Sequence, residues 1–512
     1  MILRGAPLSE LGGSELIGAG APGPSGPTLD DLFRRAAVHD SSAVALRDAP
    51  NRSSFTDGAP RRLTYAEADR AISTLAARLC RAGLQADTLV AIQLPNTVEA
   101  VITLLAVLRA GMIAVPLPLL WRRKEIASAL RHLGVKAIIT ASRVGGFDHA
   151  ELAADVGAEL FPVRLIGAFG DKLPDGVVPL NDVFEATATP TVPRTMRGGQ
   201  ASEHVAVITF DVAASGLTPI ARSHSELIAG GLALAQEIGV GPHMSLLAAI
   251  PASSFAGLAV ATVPWLFGGG TLSLHHGFDA RTFAEQTLGA VNAAVVPGPA
   301  LAPLAKAGYL DGLRSTVALW RSPEQLAAAP TWTGTARLID VSAFGELGIV
   351  AVPREADGLP AALPLGHVGA PHDIETARGK TGTLMVRGAM VPQAAFPPGA
   401  ERTQAPYLAV DKDGFVDTGF TCKVDETARN LTVTGPPAGI AVVGGYRFRT
   451  ADMEAQVSLA DPTATIVALP GGLLAQKLAG SALDNATVAD LVKRQGGSPL
   501  IAGAFRPRGV AA

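Results

Sequence analysis

Cysteine is nearly absent: Cys80 and Cys422 are the only two in 512 residues. They form no metal-ligand spacing and no disulfide framework, so the expectation is two small buried hydrophobes, no bound metal and a reducing, cytoplasmic setting. Charge is scarce too. Charged residues make up 17% of the chain and the net charge is −3, which gives no reason to expect nucleic acid or an anionic membrane as a partner. With 48% hydrophobic residues, the chain reads as globular and not as disordered. No secretory leader is expected, because Arg4, Glu10 and Glu15 interrupt every apolar stretch near the start. Residues 245–274 carry no charge at all and are long enough to span a membrane. Pro251, Pro264 and Gly268-Gly269-Gly270 break that stretch, which predicts a buried helix between two core strands and no membrane span.

What is present is a strand–helix rhythm on a chain too long for one core. Residues 1–27, rich in Gly and Pro, read as a flexible arm. Thr28 then opens an amphipathic helix with Asp30 and Asp31 in its first turn. A strand ending at Tyr65 precedes a helix of apolar period 3.6 that stops at Gly83. Leu89 to Leu94 is a near-continuous apolar run, as in a parallel strand covered on both faces, and Pro95-Asn96 turns the chain into a helix returning to Ile113–Pro116. A helix over 124–133 and a strand over 137–140 follow, and this order predicts a doubly wound α/β sheet. His275-His276 lack any carboxylate or cysteine in ligand spacing and read as strand-end histidines.

The segment GPPAGIAVVGGYRFRTADME, residues 435–454, resembles without a gap the hinge-and-loop motif of the acyl-adenylate-forming (AMP-binding) superfamily, the acyl-CoA synthetases among them. That motif runs G-R-x-K-D-x-I-x-x-x-G-G-x-x-I-x-P-x-E-I-E. Gly435, Gly444, Gly445, Phe448, Met453 and Glu454 fall on its structural positions, while Pro436, Ala438 and Gly439 fall where the family carries Arg, Lys and Asp. Thr64-Tyr65, Leu94-Pro95-Asn96…Glu99 and Leu105…Gly111…Pro116 extend the resemblance toward the start of the chain. The resemblance implies a large N-terminal α/β domain over 28–434 and a small, mobile C-terminal α+β domain over 435–512. It also implies that Gly435 and Gly439 flank the hinge and that the Gly444-Gly445 loop faces the pantetheine of CoA.

The resemblance further implies four chemical features, each carried here in altered form. The phosphate loop T-S-G-T-T-G-x-P-K-G corresponds to the segment after the strand 205–210, retaining Ser215, Gly216, Thr218 and Pro219 but with Ile220 at the lysine position; it is either a weakened phosphate loop or a structural turn kept without its ligand. The adenine- and Mg²⁺-binding Y-G-x-T-E corresponds to Phe344-Gly345-Glu346-Leu347-Gly348, with Gly348 at the glutamate position. Glu346 is either a substitute metal ligand or a solvated loop residue; in an extended segment it sits roughly 7 Å from the position it would replace. The ribose-binding T-G-D corresponds to Thr418-Gly419-Phe420. Phe420 accepts no hydrogen bond and is expected to fill part of the nucleotide site. After the hinge only Lys477 and Lys493 stand, neither in the context of the family's catalytic lysine. Residues 249–278, with Ser253, Ser254 and Gly257, match the wall of the acyl pocket.

Two functional readings follow, in different classes. In one, the chain is an acyl-CoA synthetase-like protein impaired in adenylation, which acts through an acyl or acyl-CoA ligand or a protein partner. In the other, it is an active ATP-dependent acid–CoA ligase using ATP, Mg²⁺ and CoA with rearranged ligands. An unrelated chemistry in the same cleft is a third option. A homodimer or protein partner stays open.

Overall fold

The computed structural model describes residues 26–193, 198–289, 291–368, 374–403, 405–471 and 476–506. Of the expected N-terminal arm, residues 1–25 lie outside that set. The Leu29–His39 helix starts where its chemistry demands. The Thr28 hydroxyl accepts from the Asp31 amide at 3.1 Å, and the Asp31 carboxylate accepts from the Thr28 amide at 2.9 Å. The same capping box, Thr64 with Glu67, corrects one boundary. The strand Arg62–Thr64 ends at Thr64, so Tyr65 is the first residue of the Tyr65–Arg81 helix. Its buried hydroxyl donates to the Gly270 carbonyl at 2.8 Å.

Two large sheets carry the molecule. A seven-stranded sheet runs Gly216–Ser223, Val205–Ala213, Ile113–Pro116, Leu89–Gln93, Ala137–Ala141, Leu165–Phe169, Val178–Pro179, parallel except for the antiparallel hairpin at its edge. An eight-stranded sheet is parallel over its inner six strands, from Arg337–Ala343 to Val44–Arg47, with an antiparallel strand at each edge. Parallel strands need covering on both faces. The helices Tyr65–Arg81, Val98–Arg109 and His224–Ile238 and the helical run from Phe255 to Gly268 supply the shared cover, in one core cluster that joins both sheets. The uncharged stretch 245–274 is therefore a strand, a buried helix and a strand, as its breakers suggest. No helix among the described residues is long and apolar enough to cross a membrane.

A third, six-stranded antiparallel sheet ends with Asn430–Gly435. The chain then makes a smaller unit: the hairpin Ile440–Val443/Tyr446–Arg449, the helix Thr450–Ser458, a second hairpin, and the helix Asn485–Arg494. Its own core packs Val443, Phe448, Met453, Val457, Val488 and Phe505. This unit leans on the large one through polar contacts. The Lys124 amide donates to the Gly496 carbonyl at 3.1 Å, and the Ser498 amide donates to the Glu125 carboxylate at 3.0 Å. Lys493 is exposed on its helix.

Candidate functional site

After residue 210 the chain forms a closed β-hairpin. The strand continues to Ala213, reverses through Ala214-Ser215 and returns as Gly216–Ser223. Its ladder pairs Phe210 with Pro219, Asp211 with Thr218, Val212 with Leu217 and Ala213 with Gly216. Buried and half-buried residues alternate over Gly216–Arg222 and over Thr209–Val212 on the partner strand, a strand pattern at the position of the family's loop. The backbone amides that a phosphate loop would aim at its ligand lie here in a ladder. Ser215 sits exposed at the tip, and Ile220 is buried.

Asp211 is the hub of this region. Its carboxylate accepts from the Glu346 amide at 3.1 Å and pairs with the Arg447 guanidinium of the small unit at 2.5 Å. Gly345, at φ +61°, makes room for that pair, since a Cβ there would stand 2.2 Å from Asp211 Oδ1 and 2.3 Å from Arg447 Nη1. Beside it the Phe344 and Phe420 rings, both fully buried, meet edge to face at 5.9 Å. The Arg447 guanidinium lies 5.6 Å from the centre of the Phe420 ring. Gly348 faces the apolar Ile374 and Val391 side chains. The Arg449 guanidinium, two residues beyond Arg447 along the same strand, donates to the Ala214 carbonyl at 3.3 Å.

Below this filled region lies a cavity of about 530 Å³, with mostly apolar walls that include Trp121, Phe210, Ile250, Pro297, Leu304 and Leu319. Ser253 and Ser254 line it; Gly257 does not, and its backbone packs against the Pro251 carbonyl. The roof is the tip of the small unit's first hairpin. Gly444 and Gly445, at φ +57° and +84°, form the two-residue turn that pairs Val443 with Tyr446. The polar end gathers Arg321, Glu346, Tyr446 and Arg447. The Arg321 guanidinium donates to the Ser254 hydroxyl at 2.8 Å, while its stem lies under Gly445, whose Cβ would meet Arg321 Cδ at 2.8 Å.

Glu346 is not the solvated loop residue of one expectation. It is 8% exposed, and its Oε2 accepts from the Phe255 amide at 2.6 Å. Burial pushes its carboxyl above the ordinary value, against the pull of that amide and of Arg321 and Arg222. Arg222, fully buried, stacks 3.8 Å from the centre of the Phe255 ring and donates to the Leu347 carbonyl at 3.1 Å, tying the two wall segments together. Burial pulls its guanidinium down to about 10. No group of three or more His, Cys, Asp or Glu among the described residues could hold a metal ion. His275 instead bonds Gln286 at 2.7 Å, and the His276 ring accepts from the Asn96 amide at 3.3 Å.

Residues 33–303, more than half of the chain, match the family model of the AMP-binding enzymes. The chain belongs to that family. A 2-hydroxy-7-methoxy-5-methyl-1-naphthoate–CoA ligase of Streptomyces carzinostaticus is 29% identical over 249 residues, 46% of this chain and 44% of that one. A salicyl-AMP ligase of Mycobacterium tuberculosis is 30% identical over 150 residues, 29% of this chain and 26% of that one. The chain thus aligns with less than half the length of these curated relatives. Among solved structures, apo MbtA of Mycobacterium smegmatis superposes with TM-score 0.67 at 21% identity, over 97% of this chain and 93% of that one. The amide bond synthetase McbA of Marinactinospora thermotolerans superposes with TM-score 0.71 at 22% identity, over 93% and 94%. The adenylate-forming fold therefore covers the described chain from end to end.

Within this AMP-binding fold, the residues singled out in the sequence separate into two groups. Gly345, Glu346, Ser253, Ser254, Gly444 and Gly445 converge on the cavity. Ser215, Gly216, Thr218 and Pro219 belong to the hairpin, and Phe344 and Phe420 to the packed aromatic pair beside it. Gly435 closes the last strand of the third sheet, and Gly439, at φ +71°, turns the chain into the small unit. Sequence reasoning missed Arg321, Tyr446 and the Asp211–Arg447 pair. Arg321 had a signal, a charge directly after the uncharged buried strand Ser315–Trp320. Asp211 and Arg447 stand 236 residues apart, and neither announces the other.

Proposed function

We propose that this AMP-binding family member does not adenylate, and that it works by holding an apolar small molecule in the cavity under the Gly444-Gly445 turn. The observation that carries this reading is the hairpin at the phosphate-loop position, paired up to Ala213 and Gly216. A triphosphate there would meet the Asp211 carboxylate and no free run of amides. Two further features support it. Phe420 stands where a ribose-binding Asp belongs, packed on Phe344 without exposure to any ligand. Gly348, at the position of the metal-binding Glu, faces Ile374 and Val391. The residues present do not fit a nucleotide with Mg²⁺. Each missing charged hydrogen bond is worth roughly 1.5–3 kcal/mol, and the losses share one site. The cavity, in contrast, is of a size that encloses a small organic ligand.

The test is calorimetric titration of the full chain with ATP, with and without Mg²⁺. The expected result is no binding heat at millimolar ATP, and no pyrophosphate exchange with 1-naphthoate or salicylate as the acid. A micromolar ATP constant would instead favour the active acid–CoA ligase, the reading to which the named relatives lend weight.

A further inference from the structure

Arg321 is the one feature of the cavity that the apolar-pocket reading leaves unexplained. Its side chain lines the cavity, yet the Ser254 hydroxyl is its only hydrogen-bond partner among the described residues, and no described carboxylate comes within 4.0 Å. Glu346 is the nearest opposite charge in effect, but it already spends Oε2 on the Phe255 amide, and Arg447 is matched by Asp211. A guanidinium keeps its proton at neutral pH and offers five donors in a planar fork. Arg321 is half-buried, and the donors it does not use on Ser254 are open to the cavity, where an anion at the end of the apolar chamber can take them up. Its stem packs under Gly445, where the absence of a Cβ leaves room for it.

Resting on the ligand-binding reading above, we propose that Arg321 is the anion anchor of this cavity. The ligand is a monocarboxylate with an apolar aryl or acyl body. Its carboxylate sits on the Arg321 fork beside Ser254, its body lies along Ile250, Pro297, Leu304 and Leu319, and no nucleotide takes part. Arg321 is thus the residue that distinguishes an acid from its neutral derivatives.

The probes are 1-naphthoate, decanoate and their primary amides, titrated calorimetrically into the full chain without ATP. The expected result is that at least one acid binds about tenfold or more tightly than its amide. Arg321→Met should abolish that preference while leaving amide binding in place, Arg321→Lys should restore part of it, and Ser254→Ala should weaken it by a smaller factor. Equal binding of acid and amide to the wild type, or a preference that survives Arg321→Met, overturns the anchor. So does failure of all four probes to bind at 1 mM. Should Arg321→Met not fold, the wild-type comparison and Ser254→Ala decide the matter. ATP binding in the separate titration would overturn the non-adenylating reading alone, because the acid–amide comparison contains no nucleotide.

Discussion

The two halves of one cleft have been treated in opposite ways. On the hairpin side, the chain's own groups pack together in the closed ladder at Ala213–Gly216, the Phe344–Phe420 pair and the Asp211–Arg447 bridge, of which Arg447 also forms part of the chamber's wall. On the other side, a few residues away, about 530 Å³ stays empty behind apolar walls. A concave chamber of that size with mostly apolar walls is of the kind that takes a small ligand. The asymmetry is therefore the most informative property of the site: one half has become core, and the other has stayed a chamber.

The largest effect should come from trying to undo the filled half. Phe420→Asp restores the acidic residue that the family carries but removes a fully buried ring and inserts a carboxylate among Phe344 and the apolar sheet. Stability should fall by on the order of 3–5 kcal/mol, the usual cost of a buried unpaired charge or a deleted core aromatic. Chemical denaturation measures that loss, and no ATP binding should accompany it. Gain of ATP binding by this single change would break the comparison, because it would show a nucleotide site merely plugged and not rebuilt as core. A smaller effect is expected from Arg447→Gln. The Asp211–Arg447 pair is about one-tenth exposed and joins the small unit to the hairpin, so its loss should cost about 2 kcal/mol, between the values for surface and buried pairs. Hydrogen exchange of the Ile440–Arg449 amides should then speed up by as much as roughly thirtyfold, while amides of the Leu89–Gln93 strand stay unchanged. Uniform acceleration across both would mean that the bridge supports the whole fold and does not specifically hold the roof.

Much of this architecture was legible because its signals are local. Capping boxes at Thr28 and Thr64 mark helix starts to within a residue, and the apolar run at Leu89 marks a doubly covered strand. The breakers in residues 245–274 separate a buried helix from a membrane span. The glycine pair at 444–445 marks a turn that only positive φ can make. The chamber was legible only in part. Ser253 and Ser254 were placed on its wall through their match to a family segment, but the polar end is assembled from strands distant in sequence. Arg321 and Glu346 follow the neighbouring strands Ser315–Trp320 and Arg337–Ala343 of the eight-stranded sheet, and the small unit's hairpin brings Arg447 to them. Residue type alone also gives no sign that Asp211 is the partner of an arginine from the other unit.

The smallest and sharpest effect concerns Glu346, where the two halves meet. Its backbone amide bonds Asp211 on the filled side, and its carboxylate lies at the cavity's polar end near Arg321 and Arg222. Burial, the largest influence, raises this carboxyl above the ordinary glutamate value of 4.5. A raised carboxyl favours its protonated form in the fold. Its contribution is present below the ordinary value and is lost as pH rises through the folded value. Glu346→Gln keeps an oxygen for the Phe255 amide and cannot ionise, so its stability relative to the wild type should improve as pH rises from 4.5 toward neutral. The same change removes the negative charge that competes with a ligand carboxylate for Arg321. Acid binding should tighten by about two- to fivefold at about pH 8, an effect typical of one partly screened charge, and amide binding should not move. As pH falls, the wild type takes up the proton itself and the two proteins should converge. A variant that weakens acid binding would place Glu346 in the anchor as a positioning residue for Arg321, joining the two halves functionally as well as through the Asp211 contact.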